Sequence, residues 1–397
     1  MSTGDSEGKL RRAEWLMRPQ TQRLMALLDG AQGRTRAVGG IVRDTLLDMP
    51  RAASDLDLAT ELLPAEVMAR AGRAGVASYP TGIEHGTVTL KLDNLVAEVT
   101  TLREDIETDG RHAVVKFGTS WKNDAARRDF TMNALFAGMD GELFDPLGGV
   151  DDLFARKVRF IGKPAQRIAE DRLRVFRFFR FSASHGNERL DADGYAACKA
   201  AAGTLDRLAA ERVGAEMKRM LGLGRVANTL SAMVRADVLG LSERAVKFLH
   251  TYERQARRPD LTGRLAILMA EMPNDVLQGM WRLSNDEVRT AGAVLAVARL
   301  LSDFRVNEAA YHHPAALGDG VEVAAVLSDW GEAGKSALRD RLERLDVPRF
   351  PLSGGDLIAA GFKPGPALGG ELERLEGLWV EGGFSLDREG LLQVVKR

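Results

Sequence analysis

The chain has 397 residues, more than one hydrophobic core usually serves, and its 45% apolar and 28% charged content excludes a disordered polymer, so two or more domains are expected. Its 55 Lys and Arg stand against 56 Asp and Glu, a net charge of −1, which advertises no nucleic-acid partner in bulk and confines any RNA contact to local basic faces. One cysteine, Cys198, excludes an internal disulfide, six scattered histidines with no Cys-x-x-Cys partner offer no zinc site, and neither a signal-peptide core nor a run of about 18 apolar residues is present, so a cytoplasmic protein is expected.

In chain order, a polar start leads into one amphipathic helix from Trp15 to Leu28, ended by Asp29-Gly30. From Thr35 to about Phe144 strand and helix signals alternate. Strands are predicted at Thr35–Val38, Asp55–Ala59, Val76–Tyr79, Thr87–Leu92 and Val96–Leu102, with Pro64 in the first turn of a helix running to about Ala71. The last two strands, joined at Asp93-Asn94, are expected to form an antiparallel hairpin. A charged loop, Glu104 to Ala126, follows. After Asp145-Pro146 and Gly148-Gly149 the pattern becomes helical, with breaks at Gly162–Pro164, Gly186-Asn187, Gly222–Gly224, Pro273-Asn274 and Pro314. The tail from Pro351 is Gly-rich and then amphipathic, which reads as a packed helical cap with turns.

Within the α/β region, Val38 to Thr60, VGGIVRDTLLDMPRAASDLDLAT, is the most informative stretch. Asp55 and Asp57 stand at i and i+2 on a strand, so both leave one face while Leu56 and Leu58 turn inward. Parallel carboxylates are costly unless a divalent cation sits between them, and hard oxygen ligands of this kind suit Mg²⁺. Just upstream, Gly39 and Gly40 let a ligand approach the backbone, and the helix from about Ile41 aims its free N–H groups at an anion. Phosphate with magnesium is the implied ligand.

Two further segments carry chemistry. In Arg127 to Leu135, RRDFTMNAL, Asp129 or Thr131 is expected to cap a following helix, and Arg128 lies where a triphosphate or ribose needs a fixed cation. In Glu170 to Phe181, EDRLRVFRFFRF, Asp171, Arg174, Arg177 and Arg180 recur every three residues as a ridge drifting round a helix. Phe176, Phe178, Phe179 and Phe181 fill the gaps, so the arginines are expected to be partly desolvated. A carboxylate beside a guanidinium matches the Watson–Crick edges of cytosine and adenine, which present an exocyclic amine next to a ring nitrogen acceptor. Uracil and guanine present a carbonyl where the amine should be. Asp171 and Arg174 are therefore expected to accept CTP and ATP and to reject UTP and GTP, because a mismatch leaves buried polar groups unpaired.

The glycine pair, Arg43-Asp44 and Asp55-x-Asp57 of the first segment together resemble the signature of the nucleotidyltransferase superfamily that includes DNA polymerase β. More closely, all three segments resemble motifs of the class II tRNA nucleotidyltransferase and bacterial poly(A) polymerase family, the second its second conserved motif and the third its nucleotide-templating motif. TGIEHGTVTL and EVTTLRED look like its central strands, Asp145 to Gly149 its hinge, and Glu211-Arg212-Val213 with Glu216 its last neck motif. The matches run over roughly residues 36–220, and Lys163 stands where the family often has an acid.

The resemblance implies an α/β head with a polymerase β-like mixed sheet, followed by an all-α neck, body and tail. The corresponding segments are 1–33 (N-terminal helical), 34–148 (catalytic head), 149–222 (neck), 223–310 (body) and 311–397 (RNA-binding tail). The activity it implies is template-independent addition or repair of the 3′-terminal CCA of tRNA from CTP and ATP, with pyrophosphate leaving in line. Asp55 and Asp57 would hold two Mg²⁺ ions, Gly40 and Arg43 the phosphates, and Arg128, Arg177 and Arg180 further parts of the nucleotide, while Asp171 and Arg174 read the base. Glu98 is either a third carboxylate of the metal site or a surface strand acid. The segment Glu104–Ala126 is expected to matter most for the final A addition. Partners would be the tRNA acceptor end, CTP and ATP, with no membrane and no DNA. The alternatives are a poly(A) polymerase, a CC-only or A-only enzyme, a small-molecule nucleotidyltransferase, and a non-catalytic RNA-binding module.

Overall fold

Burial alternates residue by residue along Thr87–Leu92 and Leu95–Thr101, giving two strands with one apolar and one polar face. Asp93, in the left-handed region at φ 54°, turns the first strand into the second, so the expected antiparallel hairpin forms there. In chain order the strands are β1 (Thr35–Val38), β2 (Asp55–Thr60), β3 (Ala77–Gly82), β4 (Thr87–Leu92), β5 (Leu95–Thr101), β6 (Arg103–Asp109), β7 (His112–Phe117), β8 (Phe136–Ala137) and β9 (Leu143–Phe144). The computed structural model describes residues 3–50, 55–109 and 112–395, with the side chains of 3, 55 and 104–116 outside that description. Seven strands form one mixed sheet in the order β3-β4-β5-β2-β1-β8-β9, in which β2 and β5 are parallel and the other neighbours antiparallel.

The chain divides into two units, Met1–Glu216 with Ala232–Gly240, and Met217–Ser231 with Leu241–Arg397. The first holds the sheet and the helices α1 (Thr3–Arg11), α2 (Glu14–Met17), α3 (Pro19–Leu27), α4 (Gly40–Leu46), α5 (Pro64–Arg73), α6 (Trp121–Ala126), α7 (Gly149–Phe154), α8 (Pro164–Glu170), α9 (Arg174–Ser184) and α10 (Ala192–Ala201). Its boundary falls inside α11 (Ala210–Leu221). One face of the sheet buries Leu56, Leu58, Val88, Leu90, Ala97 and Val99, and α5 packs on β3 and β4 with Val67 and Ala71 inward. Each such Val or Leu side chain removed from water contributes about 1.5–3 kcal/mol. On the opposite face Val38, Ala59, Leu102, Ala125, Ala134, Phe136 and Ile161 form a second cluster. Along β4 and β5 that face carries polar side chains.

Two sequence expectations are corrected here. The single helix from Trp15 to Leu28 is two, α2 and α3, because Pro19 cannot continue a helix and forces Arg18 into an extended conformation at ψ 132°. The loop from Glu104 to Ala126 is instead the hairpin β6–β7 followed by α6, whose first turn is capped by the Ser120 hydroxyl accepting from Asn123 N. Its charged composition conceals strand pairing that needs only backbone groups. Strands β8 and β9, two residues each, are too short to show any period in sequence.

The second unit is helical throughout its described residues, as expected. Leu261–Glu271, Asn285–Ser302 and Leu317–Leu327 pack on one another, and the middle helix opens with a capping box between Ser284 and Glu287. Arg264, fully buried, donates to Leu221 O at 2.6 Å, Gly224 O at 3.2 Å and Glu253 Oε1 at 2.7 Å. The same carboxylate accepts from Val226 N and Ala227 N, so one buried ion pair organises the whole 221–227 turn. The tail helices close over Leu357, Leu375, Trp379 and Leu391, matching the packed helical cap read from the sequence. Among the described residues no helix is long and apolar enough to cross a membrane.

Candidate active site

Strand β2 lies between β1 and β5, so both of its edges are paired and the orientation of its side chains is fixed. Leu56 and Leu58 are 2% and 1% exposed, which turns Asp57 to the opposite face. Parallel pairing sets Asp57 beside Glu98, and Asp55 beside Val96, on neighbouring strands about 4.8 Å apart. Asp57 is half-buried and Glu98 exposed, with Glu98 opposite Thr89 on β4. The side chain of Asp55 lies outside the described residues. Among those described, no three His, Cys, Asp or Glu side chains converge on a metal position. The donor set on this face is nonetheless carboxylate oxygen, which fits a hard divalent cation.

Immediately before α4, Gly39 adopts φ 75° and ψ −125°, a conformation that L side chains rarely adopt, and its N–H donates to Leu135 O at 3.0 Å. The tight turn therefore exists. A Cβ there would stand 3.8 Å from Arg128 Nη1, which places this guanidinium against the turn. Arg128 spends Nε and Nη2 on Asp124 Oδ2, at 3.2 and 3.0 Å, and its Nη1 has no hydrogen-bond partner among the described residues. Burial opposes the Asp124 charge, but the guanidinium groups of Arg128 and Arg127 outweigh it and hold its pKa below the ordinary carboxylate value. Arg128 is thus fixed on one side and available on the other.

Arg43, read from the sequence as a phosphate contact, is placed as an internal brace. It is 6% exposed, donates through Nε to Asp44 Oδ1 at 2.7 Å and through Nη1 to Asn133 Oδ1 at 2.6 Å, and lies 5.0 Å from the Phe181 ring centroid. The capping role expected of Asp129 or Thr131 is also absent. Asp129 Oδ1 accepts from Phe130 N and Asn133 Nδ2, its Oδ2 is gripped by Arg177, and the Thr131 hydroxyl donates to Asp152.

The ridge Asp171, Arg174, Arg177, Arg180 is not one helical row. Asp171, at φ −148°, sits in the turn between α8 and α9, and only the three arginines are on α9. Its Oδ1 accepts from Leu173 N at 3.0 Å and its Oδ2 from Arg212 Nη2 at 2.8 Å. Arg174 donates through Nη1 to Glu170 Oε2 at 2.6 Å and to Arg167 O at 2.8 Å, while its Nε and Nη2 have no partner among the described residues. The two base-reading candidates are therefore three residues apart, each braced by its own partner rather than by the other. Glu170 and Arg212 both stand in motifs quoted from the sequence, but neither is read there as the partner of Arg174 or Asp171. Glu170 was accessible as an i,i+4 pair with Arg174, whereas Arg212 lies 41 positions away with no local signal.

Arg177 and Arg180 are held in place more tightly than expected of nucleotide contacts. Arg177 donates twice to Asp129 Oδ2, at 2.8 and 2.6 Å, and Arg180 pairs with buried Glu216. Their expected desolvation among aromatics is found: the four phenylalanines of this helix are buried, and Arg180 and Arg177 stand 4.1 and 5.3 Å from the Phe181 centroid. At the segment Asp145 to Gly149, the Asp145 carboxylate accepts from Gly149 N at 2.8 Å and Val150 N at 2.9 Å. A Cβ on Gly149 would lie 2.2 Å from Thr131 O, so only glycine lets α7 approach the Thr131–Asn133 turn.

With this geometry in view, residues 35–159 match the family described as poly A polymerase head domain. Over 389 residues the chain is 32% identical to the mitochondrial CCA tRNA nucleotidyltransferase 1 of Danio rerio, covering 92% of this chain and 88% of that protein. It is 32% identical to the CCA-adding enzyme of Limosilactobacillus fermentum, covering 90% and 91% respectively. The fold matches the crystal structure of the Bacillus stearothermophilus CCA-adding enzyme in complex with CTP at a TM-score of 0.75 and 28% identity, covering 92% of this chain and 94% of that one. Near-complete coverage at this identity, over both the sheet and the helical half, places the chain in the CCA-adding tRNA nucleotidyltransferase family.

Proposed function

We propose that this protein builds or repairs the 3′-terminal CCA of tRNA, taking C from CTP and A from ATP without a nucleic-acid template. The observation that carries the site assignment is the parallel register that sets Asp57 beside Glu98 on the open face of the sheet, next to a Gly39 turn faced by Arg128. Asp55 and Asp57 would hold Mg²⁺, with Glu98 as a third carboxylate on the same face. The metal, when bound, supplies charge neutralisation at the triphosphate and makes the RNA 3′-hydroxyl a better nucleophile. The backbone at Gly40 and the open Nη1 of Arg128 bind phosphate oxygens. Asp171 accepts from the exocyclic amine of C or A, and Arg174 donates to the ring nitrogen beside it. Arg212 and Glu170 hold these two side chains in reading orientation. Arg177 and Arg180 act at one remove, fixing α9 through Asp129 and Glu216, and Arg43 fixes α4.

The helical segments 149–222, 223–310 and 311–397 serve as neck, body and tail in this reading, gripping the acceptor arm through its backbone and shape, as suits duplex RNA. The single thiol, Cys198, is buried, which fits the reducing cytoplasm proposed as its compartment.

The test is incorporation on tRNA trimmed of its 3′ end, with each labelled nucleoside triphosphate supplied alone and then together. The proposal requires two C additions from CTP alone, one A after them, and no extension beyond it. Long A tracts from ATP alone would make the protein a poly(A) polymerase, one partial product a CC-only or A-only enzyme, and binding without incorporation a non-catalytic module.

A further inference from the structure

We propose that His185 is a positioning residue for nucleotidyl transfer, acting by locking helix α4, which follows the Gly39–Gly40 turn, to the arginine-bearing helix α9; the inference rests on the functional reading above. His185 is the residue that ends α9, its N–H donating to Phe181 O at 2.8 Å, and it is 6% exposed. Its Nε2 lies 3.0 Å from Asp44 Oδ1, the same oxygen that accepts from Arg43 Nε at 2.7 Å. An ionised carboxylate only accepts, so Nε2 carries the proton. Nδ1 meets the Ser184 hydroxyl at 2.6 Å, which fixes the ring from its other side.

A second route joins the same two helices. Arg43 Nη1 donates to Asn133 Oδ1 at 2.6 Å, and Asn133 Nδ2 donates at 3.0 Å to Asp129 Oδ1. Asp129 Oδ2 in turn receives both donors of Arg177 on α9. The charges on either side leave Asn133 only this amide orientation. The two routes close a ring, Arg43–Asp44–His185 on one arm and Arg43–Asn133–Asp129–Arg177 on the other, with the Phe181 ring between them. Phe181 meets His185 at 5.5 Å, Arg43 at 5.0 Å and Arg177 at 5.3 Å between centres.

One arm alone would let α4 pivot about its contact; two arms at different points on α9 remove that freedom. This matters because a bound nucleotide spans both elements, its phosphates at the turn that opens α4 and its base at the start of α9. The ring therefore sets the distance between the phosphate end and the base end of the site. Misplacing reacting groups by about 1 Å is enough to slow a reaction roughly a hundredfold. A residue that merely filled the core would affect stability and leave this alignment alone.

The experiment compares His185→Leu, His185→Gln and Ser184→Ala with the wild type in single-nucleotide addition to trimmed tRNA, well below each protein's melting temperature. His185→Leu is expected to lower kcat for both CTP and ATP by about tenfold or more with KM changed less than about threefold, since alignment acts in the transition state more than in ground-state binding. Gln keeps an N–H for Asp44 and should restore most of kcat. Ser184→Ala, which frees the ring, should fall between them and keeps the test decisive if the Leu variant does not fold. Wild-type kcat in folded His185→Leu or in Ser184→Ala, or a Gln variant no better than Leu, would overturn the proposal. Asp57→Asn serves as the separate control: if it retains full turnover the active-site assignment itself fails, independently of His185.

Discussion

Replacing Arg174 with Ala should relax base choice, and the structure supplies the magnitude. Glu170 and Arg167 O hold its Nη1, so the side chain is anchored before any nucleotide arrives, and its Nε and Nη2 are the donors left to meet a base. A hydrogen bond from a charged donor to the ring nitrogen of C or A is worth about 1.5–3 kcal/mol. At 1.4 kcal/mol per decade, losing it lowers the preference for CTP over UTP, and for ATP over GTP, by about 10- to 150-fold in kcat/KM. Stability should fall less than for a buried pair broken outright, because Glu170 keeps its ion pair with Arg167 when Arg174 is removed. The assay is single-turnover addition to trimmed tRNA with each triphosphate in turn. If the CTP-to-UTP and ATP-to-GTP ratios hold while affinity for all four nucleotides drops equally, Arg174 is a phosphate ligand and the base-reading argument is wrong.

Asp57→Ala should abolish incorporation at saturating Mg²⁺ with an unchanged circular dichroism spectrum, since a half-buried strand carboxylate adds little to the core; measurable turnover near wild type would rule out the metal assignment. Arg264→Ala should destabilise the second unit by about 3–5 kcal/mol in denaturant titration, because it leaves Glu253 buried without its cation; a change under about 1 kcal/mol would show that Glu253 is satisfied by the Val226 and Ala227 amides alone. Burial holds the His185 pKa below the ordinary value, against the opposing pull of Asp44, so the unfolded chain takes up a proton first. Stability should thus be full above about pH 6.5 and decline as the pH falls towards the lowered folded pKa. Below about pH 4 a second decline should begin: burial disfavours the charges on Asp44 and Asp129, but His185 and Arg43 at one and Arg177 at the other hold both pKa values below the ordinary carboxylate range. Melting temperature recorded against pH checks both steps, and a rise on acidification from 7 to 5.5, or an identical slope there in His185→Gln, would contradict the assignment.

What the sequence determined alone is whatever depends on neighbours within a few positions. The strand β2, the glycine turn before α4, the β4–β5 hairpin and the helical second half all follow from local periodicity and turn chemistry, and each is present. Tertiary structure decided where the charges go. Arg43, Arg177 and Arg180 look like ligand contacts in the sequence because unpaired arginines beside a phosphate motif invite that reading. Arg43 does pair with the adjacent Asp44, but its other partner, Asn133, and the partners of Arg177 and Arg180, Asp129 and Glu216, lie 90, 48 and 36 positions away. The same holds for Asp171, whose partner in space is Arg212 and not the Arg174 three residues on. A buried guanidinium must find a carboxylate wherever the fold brings one, since an unpaired buried charge is far more costly than a long chain closure. No local pattern records those long-range pairings, so the internal partners of these side chains emerge only once the sheet and the α9 helix have been placed.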